Sequence, residues 1–244
     1  MKASEEIREA LARVAALRQA ATGPGDLAQA LQAVKHLQAQ RFAGTYPDLR
    51  ANPVFAASIH FFLEELYSAK DYSQRDSQFA RIAVAIERTF PESVVATVLA
   101  LARLHRQTEE LDMAMAQNWR QTSGLSGAAR YVAAWRAVGQ RPERQWQLTT
   151  VLDIGQTLAR LTRKPGLRLM LKMMRRPAEM AGLGSLQSFL EAGFDNFSSL
   201  VKSGSVDTFL NTIQTRETAW ITQLFDADPV TCENELNLTL GFAK

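Results

Sequence analysis

Apolar residues recur every three or four positions along most of this chain, and that spacing predicts a succession of amphipathic helices. Over 4–21, Ile7, Leu11, Val14 and Leu17 fall on one side, and Ser4 is placed to cap the N-terminus. Thr22-Gly23-Pro24-Gly25 ends that helix. Asp26 then caps a second one, to about Phe42, with Leu27, Leu31, Val34 and Leu37 on its inner side. Pro47 and Pro53 punctuate a loop over 44–53. A short apolar helix over 54–67 carries Phe55, Ile59, Phe62 and Leu66, and a turn over 69–73 leads to a helix over 74–89. Pro91 is well placed to start the longest helix, which runs to about 121. Val94, Val98, Leu101, Leu104, Leu111 and Met115 mark its buried side.

The second half continues in the same way. Gly124 and Gly127 flank the entry to a helix ending near Val138, and 139–143 reads as a turn. A helix over 144–162 stops at Pro165-Gly166, and a short cationic stretch over 167–176 stops at Pro177. Gly182-Leu183-Gly184 breaks the chain again before helices over 185–201 and 206–225, the latter capped by Ser205 or Asp207. Leu236-Asn237-Leu238-Thr239-Leu240 alternates like a strand, but no second strand stands ready to pair with it. Residues 226–244 are therefore expected to form a polar tail, docked or disordered. No repeat of solenoid period is present. The expectation is an all-α fold, a single globular domain over 1–225 with about nine or ten helices. If there are two lobes, the 139–143 turn divides them.

Composition adds bounds to this picture. Apolar residues make up 46% of the 244, so a core can form without metals or disulfides. The only cysteine, Cys232, excludes an intramolecular disulfide and fits a reducing cytoplasm. Glu5 and Glu6 near the start do not resemble a secretory signal. The longest apolar run, 94–102, is about half of what a bilayer span requires.

Charge distribution matters more than the net of +3, which is too small to imply nucleic acid. Between Asp153 and Glu179 stand Arg160, Arg163, Lys164, Arg168, Lys172, Arg175 and Arg176 with no acid, leaving 21 basic against 25 acidic residues elsewhere. Leucines and methionines interleave the cations. One reading is a core helix whose cations pair with acids such as Glu64 or Asp112. A second is a surface for an acidic partner, to which the methionines adapt. A membrane surface or nucleic acid is the third.

One block resembles a known pattern. Phe61-Phe62-Leu63-Glu64-Glu65-Leu66-Tyr67, then Asp71, Arg75-Asp76, Gln78-Phe79 and Arg81, is similar to a block in an uncharacterised proteobacterial family, FFLxELYG followed by D(F/Y)xxRDxQFxRI. Ser68 replaces the Gly of that pattern. Met174 to Phe194 resembles a second block, and the likeness spans about 41–225. It implies a bacterial, cytoplasmic, all-helical protein and no particular reaction.

Candidate chemistry is sparse. Arg75 and Asp76 open a helix, and Arg75 is close enough in sequence to bond Asp71, either as a ligand-facing pair or as a clasp between helices. His60 and Glu64, four apart with Tyr67 on the same face, could share a metal. No HExxH or CxxC supplies further ligands, so a hydrogen-bonded histidine is the plainer reading. His105 lies in line with Glu109 and Asp112. That is what general-base work needs, and equally what a satisfied buried histidine needs. His36 sits among glutamines on a solvated face, and Cys232 beside Glu233 is not poised as a thiolate. No P-loop, nucleophile elbow or GxGxxG occurs, so neither catalytic residues nor a cofactor nor a metal is called for.

Three functions remain. The first is a non-enzymatic cytoplasmic interaction or regulatory protein, with 160–176 facing an acidic protein partner. The second is a small-ligand binder or enzyme, with a pocket of a few hundred cubic ångströms around His60, Glu64, Tyr67, Asp71, Arg75 and Asp76. The third is a peripheral binder of phosphates on anionic lipid or nucleic acid. The oligomeric state is left open.

Overall fold

The computed structural model describes residues 1–23, 25–67, 70–122 and 124–241; Pro24, Ser68 and Ala69 lie outside the described residues. Twelve α-helices and no strand occur among them: α1 (Ala3–Ala21), α2 (Leu27–Thr45), α3 (Pro47–Ala51), α4 (Ala56–Glu65), α5 (Ser73–Thr89), α6 (Glu92–Trp119), α7 (Gly127–Val138), α8 (Arg141–Thr162), α9 (Leu167–Met180), α10 (Gly184–Lys202), α11 (Val206–Asp226) and α12 (Pro229–Gly241). The all-α expectation holds, with two or three more helices than expected. No helix among the described residues is long and apolar enough to cross a membrane.

α6 is the axis. Its 28 residues extend about 42 Å at 1.5 Å per residue, and α1, α2, α7 and α8 all pack against it. The apolar stripes explain why. Ile7, Ala10 and Leu11 of α1 bury against Val98 and Ala102 of α6 and Ala83 and Ile86 of α5. Val34 and Leu37 of α2 meet Met115, Ala116 and Trp119 at the far end of α6, with Tyr131, Val132 and Trp135 of α7. A third cluster is aromatic. Phe42, Tyr46, Phe55, Phe61 and Phe62 pack with Phe197 of α10 and Phe209 of α11. Of the expected α6 stripe, Val98, Leu104, Leu111 and Met115 are buried, while Val94 and Leu101 are half-buried.

Several local expectations give way. The 44–53 loop contains α3, started by Pro47. Ser4 does not cap α1: the helix starts one residue earlier, and the Ser4 hydroxyl donates to Glu87 Oε2 at 2.5 Å. Asp26 occupies the N-cap position of α2 without a capping bond and pairs instead with Arg120. Ser205 stands at the N-cap of α11 but donates to the Ser203 carbonyl. Pro177 lies inside α9 rather than ending it. The carbonyl it leaves without a helical donor is that of Met173, on a residue 69% exposed, where water can serve. The strand-like alternation over 236–240 belongs to α12, which packs on α2 and α7. Cys232 and Leu236, four residues apart, are fully buried, and Leu240 follows at the same spacing.

The 139–143 turn shrinks to two residues. Gly139 (φ 64°) and Gln140 (φ 56°) both adopt left-handed backbone, so the chain reverses at once into Arg141-Pro142. The tight reversal brings Trp135, one turn before it, against Arg144, one turn after. The Arg144 guanidinium carbon lies 4.1 Å from the Trp135 ring centroid.

Candidate functional site

Nine of the helices line a central cavity of about 200 Å³. Its walls mix apolar residues with a dense set of buried charges, which is why it stands out from the apolar clusters. Two of the charges enter on otherwise apolar stripes: Arg41 follows Val34 and Leu37 on α2, and Glu217 sits between Ile213 and Ile221 on α11.

Most of these charges are paired. Arg41 Nη1 donates to both Glu217 oxygens, at 2.6 and 2.8 Å, and the Tyr46 hydroxyl adds a bond to Oε1 at 2.9 Å. All three side chains are buried. Burial works against the Arg41 charge, but Glu217 outweighs it and raises the guanidinium pKa. The Tyr46 and Tyr67 hydroxyls are pushed up, by burial first and by the Glu217 charge second. Lys35 Nζ bridges Glu109 (2.7 Å) and Asp112 (3.0 Å), and Gln38 donates to the other Asp112 oxygen at 3.0 Å. Those two carboxylates outweigh burial and raise the Lys35 pKa.

A second polar group occupies the α5 side. Asp76 Oδ2 accepts from Arg18 at 2.8 Å and lies 2.8 Å from His105 Nε2, tying α1, α5 and α6 together. Burial favours the neutral Asp76 carboxyl, yet His105, Arg18 and Arg75 hold it below the ordinary carboxylate value. Arg75 donates to Glu65 Oε2 at 3.1 Å and is sandwiched between the Tyr72 and Phe189 rings, 4.0 and 4.6 Å from their centroids.

The expected ligand group thus divides. Tyr67, Arg75 and Asp76 line the cavity, together with Tyr72 and Phe79 of the same block. His60, Glu64 and Asp71 do not line it. His60 is exposed, Glu64 pairs with Lys70, and Asp71 accepts from the Ser73 backbone and hydroxyl. The expected Arg75–Asp71 bond is replaced by Arg75–Glu65, a clasp between α4 and α5. His105 finds its carboxylate on α5 rather than on its own helix, because Lys35 occupies Glu109 and Asp112. Among the described residues no group of three or more His, Cys, Asp or Glu is placed to hold a metal ion. Cys232 is buried and its thiol pKa is raised, chiefly by burial.

The basic segment lies apart from the cavity. α9 packs on α10 and, to a lesser extent, α8. Arg168 donates to Asp195 at 3.0 Å and Arg175 to Glu191 at 3.1 Å, so its carboxylates come from α10, not from Glu64 or Asp112. Lys172 and Arg176 are exposed and make no ion pair among the described residues. Arg160 donates to Thr157, while Arg163 and Lys164 are exposed beyond the end of α8. Leu169, Met173 and Met180, at 62%, 69% and 83% exposure, form an uncovered apolar strip beside these cations.

Sequence reasoning missed Arg41, Tyr131, Arg144 and Glu217. The available signal was a charged residue standing on an apolar helical stripe, and Glu217 between Ile213 and Ile221 shows it best.

Fold and site together define an all-α protein built around a charge-lined central cavity. Residues 17–231 match the model of a domain of unknown function, DUF8198, and the chain belongs to that family. No curated protein and no solved structure matches it.

Proposed function

We propose that this protein binds a small organic molecule in the central cavity. The observation that carries the reading is the cavity of about 200 Å³, walled by buried ionised groups from helices distant in sequence. Buried charges cost several kcal/mol each to desolvate, and apolar packing of the same volume is often as stable. Spending them around one cavity favours recognition over stability as their use. A bacterial cytoplasmic setting agrees with the lone buried cysteine. The proteobacterial motif belongs to the same proposal, as does a single-domain organisation, extended past residue 225 by the docking of α12.

The test is a chemically broad thermal-shift screen on the wild type and on Thr108→Trp, whose indole would occupy the cavity. A ligand at a hundred times its Kd stabilises by about 2.7 kcal/mol, which is roughly 5–10 °C in a chain of this size. At least one compound class is expected to shift the wild type and leave Thr108→Trp unmoved. Equal shifts in both proteins, or none in the wild type, would overturn the reading.

A second reading is supported by α9. Exposed cations beside an uncovered Leu/Met strip suit an acidic, amphipathic segment of a partner protein. Lys172→Glu/Arg176→Glu leaves the Asp195 and Glu191 pairs untouched, so folding is expected to be unchanged. A photo-crosslinker at Met173 should give one acidic protein adduct in cells that this double variant loses. Adducts to lipid alone, or adducts indifferent to the reversal, would dismiss it.

A further inference from the structure

Lys35, Arg41 and Arg75 each meet a carboxylate in the cavity wall, and Arg144 is the exception. It is 6% exposed, in the first turn of α8, flat against Trp135. Nη1 reaches only the side-chain oxygen of Gln147, at 3.3 Å, and that amide is itself held by a bond to Thr108 at 2.8 Å. Nε and Nη2 have no protein acceptor among the described residues. The neighbouring Trp135 Nε1 and the Arg41 Nε are buried in the same condition. Every buried side-chain atom left without a partner in the cavity wall is therefore an N–H donor, and none is an acceptor, among the described residues.

Among those residues Arg144 alone has two such donors, and that pair specifies a ligand. Arginine cannot shed its proton at any ordinary pH, so these unmet donors are not removed by titration. Burial pulls the Arg144 pKa below its usual value, whereas Arg41, with Glu217 beside it, is raised. Nε–H and one Nη2–H run parallel along one edge of the planar guanidinium. This is the fork that matches two oxygens on one carbon.

We propose that the cavity takes an organic monocarboxylate whose two oxygens bond Nε and Nη2 of Arg144. The inference rests on the cavity-binding reading above. The carboxylate body lies along the apolar wall formed by Leu148, Val151 and Leu104. The volume suits one aromatic ring or a short aliphatic chain, since a cavity of about 150 Å³ already holds benzene. A monocarboxylate supplies the direct acceptors that Arg144 lacks with the least added charge. A phosphate dianion would add repulsion from Asp112, whose charge already reaches Arg144.

The test titrates the full-length protein with benzoate and hexanoate, with the matched neutral benzamide and hexanamide, and with phenyl phosphate. Calorimetry and thermal shift provide the readouts. At least one carboxylate is expected to bind at least tenfold more tightly than its amide and than phenyl phosphate. Arg144→Gln should remove that preference, and Arg144→Lys, which keeps the charge but lacks the paired N–H edge, should retain only part of it. Amides binding as well as acids, or phenyl phosphate binding best, would overturn the carboxylate assignment while leaving the cavity reading intact. No binding by any probe would overturn the assignment too, and the broad screen then judges the cavity reading separately. Should Arg144→Gln fail to fold, the acid-against-amide comparison on the wild type still decides.

Discussion

Glu217→Ala is expected to cost about 3–5 kcal/mol of stability, the loss measured when one partner of a buried ion pair is removed. In a chain of this size that lowers Tm by roughly 6–20 °C. The reason is asymmetry. Glu217 accepts two bonds from Arg41 and one from Tyr46, and all three residues are below 10% exposure. Deleting it leaves a guanidinium and a phenol buried with nothing to accept from them, and it also opens space against Ile213 and Ile221. Arg41 cannot escape by deprotonating. Glu217→Gln keeps the shape but removes the charge, so it should fall between wild type and alanine. The diagnostic variant is Arg41→Met combined with Glu217→Leu. Replacing both charges with apolar groups of similar volume should recover most of the loss, because no charge is then left stranded. Urea unfolding of the four proteins measures this directly. A double variant as unstable as Glu217→Ala alone would show that the pair is not the source of the loss.

Which parts of this molecule were legible in its sequence follows from the range of the interactions. Helices are local. Ile7, Leu11, Val14 and Leu17 repeat at the helical period, and the burial of all four follows from that period alone. α12 was legible in the same terms but obscured by a competing one. Leu236, Leu238 and Leu240 alternate, yet Cys232, Leu236 and Leu240 also stand four apart, and a groove between α2 and α7 decides for the second pattern. Pro177 shows the opposite error. A proline in a helix removes one bond and crowds the carbonyl four residues back, and both are eased in α9, which lies on the surface with water at hand. The cavity was legible only in part. Tyr67, Arg75 and Asp76 were found because they cluster in sequence. Arg41 and Glu217 are 176 residues apart, and Arg144 acquires its meaning only from what fails to approach it. A charge on an apolar stripe marks such a residue, but no local pattern names its partner or the lack of one.

The seat of α12 supplies the other large expected effect. A Cβ built on Gly44 would stand 1.9 Å from the Thr239 carbonyl oxygen and 2.8 Å from its carbon. These are backbone atoms, so no rotamer change relieves the overlap. Two terms of opposite sign compete in Gly44→Ala. Alanine gains at most about 1 kcal/mol over glycine in a helix, and less in the last turn of α2, where Gly44 stands. Overpacking a tight contact costs about 1–3 kcal/mol, and more where only a rigid element can move. Here α12 must shift as a body, which lifts the fully buried Cys232 and Leu236 from the α2–α7 groove. The expected net is a loss of about 2 kcal/mol, made up of that overpacking cost less the helical gain. Hydrogen exchange should locate it, with α12 amides losing protection while those of α6 keep theirs, since the displaced element opens below the global barrier. Gly184→Ala is the control, because a Cβ there meets nothing within 4 Å. It should be neutral or mildly stabilising. If Gly44→Ala behaves like that control, α12 does not sit against α2 in solution, and the core shared by α2, α7 and α12 is smaller than the structure shows.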